Sequence, residues 1–373
     1  MTSPQPWVVA IDARGYFTGG GVGRYTRNLV RELVASPARA VALRLLISNQ
    51  HQPRDLEVDV PDDVQVVVSQ AEWMNAAEED RWLEGEVADA AIFHSLTGHW
   101  LSQDRPSIAT LLDMTPILKP RLAGADARKS GQRIADQLSR ASHLVAISHS
   151  TARDAQSVPG GRLPPMTVVP LAAAPVFRPG VASADTLAGL ELTPDGFLLA
   201  VSVLSPHKNL VRLVDAYAAS GVDVPLVVAG AHRDDTDRVQ LAIRRQSLEG
   251  RVRLIGRVSD VDLAALYARC RAFVYPSLYE GFGLPVLEAM ACGAAVVASR
   301  TSSIPEVAGD AALLVDPART RSLVAALKRI HQDTPLREQL RRLAVVRAAS
   351  FSWGRTAAAT LRIYDGVLEA RAA

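Results

Sequence analysis

Short apolar runs alternate with longer stretches of helical spacing along almost the whole chain. "WVVAIDA" at 7–13 reads as a buried strand, and the stretch at 23–35 that follows carries Leu29, Val30, Leu33 and Val34 at helical intervals. "VALRLLIS", "VQVVVS", "AAIFHS", "PSIATLLD" and "HLVAIS" read as further strands. Strands of this kind, separated by helix-length segments, predict a mostly parallel α/β sheet.

Between 159 and 194 the pattern breaks. "VPGGRLPPMTVVPLAAAPVFRPG" is rich in proline and glycine and holds one short strand, so a domain boundary is expected near Arg178. The alternation then restarts with "FLLAVS", "PLVVAG", "VRLIG", "AFVYPS", "AAVVAS" and "ALLVD", each with a helical stretch between. Two similar halves joined by a proline-rich crossing suggest a ligand cleft between them, since open α/β sheets bind ligands at their carboxyl strand ends.

Composition changes this picture little. A chain of 373 residues is long enough for two cores. Its net charge of +2 gives no compositional case for nucleic-acid binding. Cys270 and Cys292 lie far apart in apolar segments, which fits a reducing compartment and no disulfide framework. The N-terminus lacks a leader pattern, and no apolar run approaches the ~20 residues of a membrane span. The expectation is a soluble cytoplasmic protein.

Three stretches could carry chemistry. In "GYFTGGGVGRYTRNLV", Gly19, Gly20, Gly21 and Gly23 follow the first strand and open a helix, where backbone N–H groups can approach an anion. The dinucleotide fingerprint fails, because Thr26 stands at its third glycine position and no acidic residue ends the second strand. An anion-approaching turn and a plain strand-to-helix turn both remain open. In "YPSLYEGFGLPVLEAMACGAAVVAS", Glu280 and Glu288 are eight residues apart, with Gly281, Gly283 and the helix-starting Pro285 between them. One carboxylate could accept from a sugar hydroxyl and the other from a ribose diol, with amides near Gly283 and Leu284 facing a diphosphate. In "SVLSPHKNL", Lys208 could place its charge on a phosphate, while His207 reads as structural or exposed.

Together with "VAISHSTARD", "VVPLAAAPVFRP" and "FSWGRTAAATLRIY", these stretches resemble retaining glycosyltransferases of family 4 over nearly the whole chain. The opening is most similar to bacterial mannosyltransferases that build surface polysaccharides. The resemblance implies a GT-B fold: two Rossmann-like domains with a cleft between them, an acceptor domain at 1–178, a nucleotide-sugar donor domain at 179–355, and a C-terminal helix at 356–373 crossing back. It implies that Glu280 holds donor-sugar hydroxyls and Glu288 the ribose. Lys208 and the amides of Gly283 and Leu284, within the run Gly281, Phe282, Gly283, Leu284, would hold the diphosphate. Arg257 and Val258 would meet the base, and Gly20 and Gly21 would approach the diphosphate from the other domain. Tyr16, Arg24 and Asp113 are candidate donor or acceptor contacts.

The implied activity is transfer of a hexose, with GDP-mannose the favoured donor, to a glycan or lipid-linked acceptor. The expected chemistry needs no cofactor and no metal: "RDDTD", with Asp235 and Asp237, reads as a helix start. Two alternatives stand beside this reading, a UDP-sugar-dependent hexosyltransferase of the same fold and a GT-B protein that binds sugar nucleotides without turnover. Three departures from the family pattern bear on them: Ser202 where glycine is usual, Val203 near a usual arginine, and Leu112 in place of a histidine beside the donor sugar. His94, His99, His143 and His149 near strand ends read as structural. Finally, Lys119, Arg121, Arg128, Lys129, Arg133 and Arg140 outnumber Asp126 and Asp136. That segment reads either as a solvated helical face or as a peripheral contact with anionic membrane on the inner face of the plasma membrane.

Overall fold

The computed structural model describes residues 7–48, 60–69, 76–97, 104–123, 127–182 and 184–372. His99 and Asp126 fall outside them. The chain divides into two compact units: Met1–Leu118 with Arg128–Leu171 and Ser352–Ala373, and Lys119–Ala127 with Ala172–Phe351. The sequence pattern places the change near Arg178. The division by contacts falls at Leu171 instead, and it assigns the stretch Lys119–Ala127 to the second unit.

The first unit is built on seven strands, β1 (Val8–Asp12), β2 (Ala42–Ser48), β3 (Val64–Ser69), β4 (Ile92–Ser95), β5 (Ser107–Leu111), β6 (His143–Ala146) and β7 (Met166–Val168). They run in the order β3-β2-β1-β4-β5-β6-β7, and every pair is parallel. β1, β4 and β5 are central strands covered on both faces, which explains their unbroken apolar runs. The C-terminal helix Trp353–Ala372 belongs to this unit; Trp353 lies 6.3 Å, ring to ring, from Tyr25 of the helix Gly20–Ala35. A buried polar chain ties these pieces. Tyr25 hydroxyl is bonded to Thr110 Oγ1 at 2.9 Å; His94 is bonded to Thr110 at 3.0 Å and to Tyr364 hydroxyl at 2.7 Å. Burial pushes the His94 imidazole down to about 3, so it stays neutral and satisfied, as a structural histidine should.

The second unit holds β8 (Leu198–Val201), β9 (Leu226–Ala229), β10 (Val252–Gly256), β11 (Ala272–Tyr275), β12 (Val296–Ser299) and β13 (Ala312–Val315). Their order, β10-β9-β8-β11-β12-β13, is again all parallel and is that of a dinucleotide-type doubly wound sheet. One face buries Leu213, Val214 and Tyr217 of the helix Leu210–Ser220 together with Leu323, Leu327 and Ile330 of the helix Thr320–Gln332. Truncating one such leucine to alanine costs about 2–5 kcal/mol. The helix Thr236–Arg245 stops where Ser247 turns into left-handed backbone and Leu248 N–H closes onto Ile243 O.

Candidate functional site

In a doubly wound sheet the strand order reverses between the first and fourth strands, and the loops leaving those strands diverge to open a crevice. In the second unit those strands are β8 and β11. The loop after β8 forms a 3-10 turn, Pro206–Lys208, and ends at Asn209 in left-handed backbone. The loop after β11 begins at Pro276 and ends at Gly283, the N-cap of the helix Leu284–Ala291. The His207 carbonyl joins the two loops by accepting the Leu278 N–H at 2.7 Å.

On this frame Lys208 and Glu280 meet. Lys208 Nζ donates to Glu280 Oε1 at 2.7 Å and to Tyr275 hydroxyl at 2.9 Å. Tyr275 hydroxyl donates onward to the same Oε1 at 2.8 Å, and Ser277 Oγ lies 2.5 Å from it. Among the described residues, Glu280 Oε2 receives no hydrogen bond. The pair is mostly buried, with side-chain exposures of 13% and 12%. Burial alone would raise the Glu280 carboxyl, but the Lys208 charge and the Lys208 and Ser277 hydrogen bonds outweigh it and hold it below its ordinary value. The nearby His207 imidazole is pushed down to about 4 by burial and by the Lys208 charge, so it adds no cation at neutral pH. Its neutral, partly buried ring agrees with a structural reading.

Glu288 is fully buried, which rules out a solvent-facing helix carboxylate. Tyr267 hydroxyl donates to its Oε2 at 3.4 Å. A buried carboxylate is retained only with partners. Gly283 has φ of 96°, and a Cβ there would lie 2.5 Å from Ile304 Cδ1. The backbone favours glycine there, and any side chain would also have to push the Ile304 side chain aside. No side chain caps the helix that follows, and no acidic residue occupies its first turn. Its first amides and the positive end of its dipole thus keep their capacity for an anion. Gly281, Phe282 and Leu284 are buried, and Phe282 packs edge-on against Phe351 at 6.0 Å. Arg257 is exposed and Val258 half-buried just past Gly256, the end of β10 on the same carboxyl edge. Ser202 is buried at the end of β8, close against Gly230, while Val203 is exposed.

The first-unit candidates stand in their own sheet. Gly20 opens the helix Gly20–Ala35 at φ of 79° with open space where a Cβ would be, and Gly21 is exposed beside it. Gly23 has a different reason: a Cβ there would lie 1.8 Å from Thr18 O. Tyr16, offered as a ligand contact, is wholly buried against Phe17, so its ring serves packing. Arg24 is half-buried. Asp113 Oδ1 accepts Thr115 N–H at 2.7 Å and Thr115 Oγ1 at 2.5 Å, holding the start of the short helix Thr115–Leu118; Leu112 beside it is half-buried. His143 is bonded to Thr167 Oγ1 at 2.9 Å, and His149 is exposed.

Asp235 occupies the N-cap position of the helix Thr236–Arg245, but its carboxylate takes Arg238 at 3.0 Å rather than a backbone amide. Among the described residues, no group of three or more His, Cys, Asp or Glu could hold a metal ion. Cys270 and Cys292 are buried free thiols, and burial raises the latter to about 12. On the helix Ala127–Arg140, Arg128, Lys129 and Arg140 are exposed and Arg133 half-exposed, opposite the buried Ile134, Gln137 and Leu138. Among the described residues no helix is long and apolar enough to cross a membrane.

Residues 189–345 match the family model described as glycosyl transferases group 1. A D-inositol 3-phosphate glycosyltransferase of Kineococcus radiotolerans is 30% identical over 321 residues, 78% of this chain and 71% of that one. The chain belongs to this family of glycosyltransferases. An O-antigen chain mannosyltransferase B of Escherichia coli is 38% identical over 178 residues, 47% of each chain, so the match spans about half of that relative. Sucrose-phosphate synthase of Thermosynechococcus elongatus superposes with a TM-score of 0.81 at 21% identity, covering 98% of this chain and 100% of that one. The fold is GT-B.

Two side chains of the site, Tyr275 and Ser277, carry no motif signal of their own. The trace they leave is their place at the carboxyl end of an apolar strand, Tyr275 closing it and Ser277 two residues on in the loop.

Proposed function

We propose that the protein is a retaining hexosyltransferase that moves mannose from GDP-mannose to a glycan or lipid-linked acceptor. The observation that carries this reading is the convergence of Lys208, Tyr275 and Ser277 on Glu280 Oε1, beside an uncapped helix start at the switch point. Oε1 is saturated by the protein, so Oε2 is the oxygen available to a donor-sugar hydroxyl. Lys208 trades its carboxylate for the incoming diphosphate, which the amides of Gly283 and Leu284 also meet. Glu288 takes the ribose diol, and the backbone at Arg257 and Val258 takes the base.

In the transfer step the bond from the anomeric carbon to the diphosphate oxygen breaks, and a bond to the acceptor oxygen forms on the same face. The acceptor proton passes to the departing diphosphate oxygen, so no protein nucleophile is consumed. Lys208 and the helix start stabilise the charge that develops on that leaving group. Mannose is supported by the name of the O-antigen relative. The exposed basic face of the helix Ala127–Arg140 supports a peripheral contact with anionic lipid, where a lipid-linked acceptor would reside. Thermal-shift titration with GDP-mannose, UDP-glucose and ADP-glucose tests the donor. GDP-mannose should give the largest shift; a larger one from UDP-glucose would replace it as donor.

A further inference from the structure

Among the described residues, five that are not glycine adopt left-handed backbone: Glu191, Asp195, Asn209, Ser247 and Ser302. Glu191, Asp195, Ser247 and Ser302 stand in turns. Of the five, Asn209 and Ser302 hold the loops that carry Lys208 and Glu280. Asn209, at φ of 62°, directly follows Lys208, and its Nδ2 donates to the carbonyls of Pro276 at 3.1 Å and Pro317 at 2.8 Å. Ser302, at φ of 51°, lies across from it; its Oγ accepts the Glu280 N–H at 2.9 Å and donates to Thr301 O at 2.8 Å.

The neighbours of Ser302 complete a clamp. Ser303 Oγ donates to the Glu280 carbonyl at 2.9 Å, and Thr301 Oγ1 reaches the Leu278 carbonyl at 3.3 Å. Three consecutive hydroxyls from the loop after β12 thus meet the backbone of 278–280, while Asn209 grips Pro276 from the side of β8. Asparagine tolerates left-handed backbone; serine does so at a cost. A plain chain reversal would be better served by glycine, which lacks that cost but also lacks a hydroxyl. Strain of this kind persists where the surroundings impose it, and it gathers at working sites.

We infer that Ser302 is a positioning residue: its strained backbone places the one hydroxyl that fixes the Glu280 amide, and so holds the carboxylate where a donor sugar meets it. The inference rests on the reading of Glu280 as a donor-binding residue. It differs from the known spacing of Glu280 and Glu288 in assigning a role to a residue outside that motif, on another loop.

The test is Ser302→Gly, with Ser302→Ala beside it. Glycine removes both the hydroxyl and the backbone cost, whereas alanine removes only the hydroxyl. Ser302→Gly should melt at or above the wild-type temperature, exchange its Glu280 amide hydrogen about tenfold faster, and lose about tenfold in kcat. Ser302→Ala should show the same loss in kcat at a lower melting temperature. A Ser302→Gly enzyme with wild-type amide exchange and wild-type kcat overturns the inference, as does a loss of activity that only tracks a fall in melting temperature. A wild-type chain that turns over no sugar nucleotide would sink the functional reading instead, and the amide exchange of Glu280 would still decide the role of Ser302.

Discussion

Lys208 and Glu280, 72 residues apart in the chain, share a hydrogen bond of 2.7 Å on a single carboxylate oxygen. Both are mostly buried, and each is held by a loop whose backbone departs from regular structure. A pair in this setting is costly to break from one side, because the remaining charge stays desolvated. It is also placed for exchange: an incoming diphosphate can take the lysine, leaving Glu280 Oε1 to the hydroxyls of Tyr275 and Ser277.

Removing the carboxylate should stop transfer, and by leaving the Lys208 charge desolvated it should also lower the melting temperature. Glu280→Ala is expected to lose about 10²–10³-fold in kcat, the scale of losing one charged group aimed at the reacting sugar. Circular dichroism and steady-state turnover measured on the same preparation check this. A fully active variant would refute the role given to Glu280.

Removing the cation acts on binding. Lys208→Met should weaken GDP affinity by about 10–100-fold, corresponding to a charged hydrogen bond of about 1.5–3 kcal/mol. It should also raise the Glu280 carboxyl, since the charge that holds it down is gone. Isothermal titration with GDP and a carbon-13 NMR titration of Glu280 measure the two effects. Unchanged affinity would count against a phosphate role for Lys208.

Acid should weaken the protein through His94 before it weakens the Lys208–Glu280 pair. The folded His94 value, about 3, lies below its ordinary 6.5, so the unfolded chain binds more protons between those values. The stabilisation is complete above 6.5 and is lost as pH falls toward 3, to the extent of a few kcal/mol. Glu280 acts in the same direction at lower pH: its contribution is present above 4.5 and disappears as pH falls through its depressed folded value. Urea unfolding followed from about pH 7 to about pH 4.5 should show stability falling steadily below 6.5, with His94→Asn making that fall shallower and leaving the part owed to the other buried histidines, His207 above all. A wild-type curve that is flat over this range would contradict a neutral buried His94.

Charge reversal on the helix Ala127–Arg140 tests the membrane contact. With about 1 kcal/mol per basic residue near an anionic surface, neutralising Arg128, Lys129 and Arg140 should lower partitioning onto phosphatidylglycerol vesicles by about a hundredfold, and reversing their charge by more. Binding should also weaken with salt. Equal partitioning of variant and parent would leave these residues as a solvated face.

Much of this was legible in the chain. Each apolar run named as a strand became one; the central ones, such as β1, β4 and β5, stand out most because parallel strands covered on both faces are apolar throughout. Lys208, Glu280 and Glu288 were legible because glycine and proline around them announce a strand-to-helix turn. The rest was hidden for physical reasons. Ser302 and Asn209 work through backbone conformation, and nothing in a serine's identity advertises a positive φ. Tyr275 closes an ordinary strand, and Ser277 follows it in a loop whose contacts no motif announces. Tyr16 misleads in the opposite sense: next to a glycine cluster it looks like a ligand contact, yet its ring fills the core. The assignment of Lys119–Ala127 to the second unit depends on contacts between segments remote in sequence, which no local pattern encodes.

We propose above that the protein turns over a sugar nucleotide at Lys208 and Glu280. The most direct measurement is release of nucleoside diphosphate from GDP-mannose, followed in parallel for the wild type, Glu280→Ala and Lys208→Met. The wild type should release GDP, with the Glu280→Ala rate lower by about 10²–10³-fold. Tight nucleotide binding with no release from any GDP, UDP or ADP sugar would contradict it.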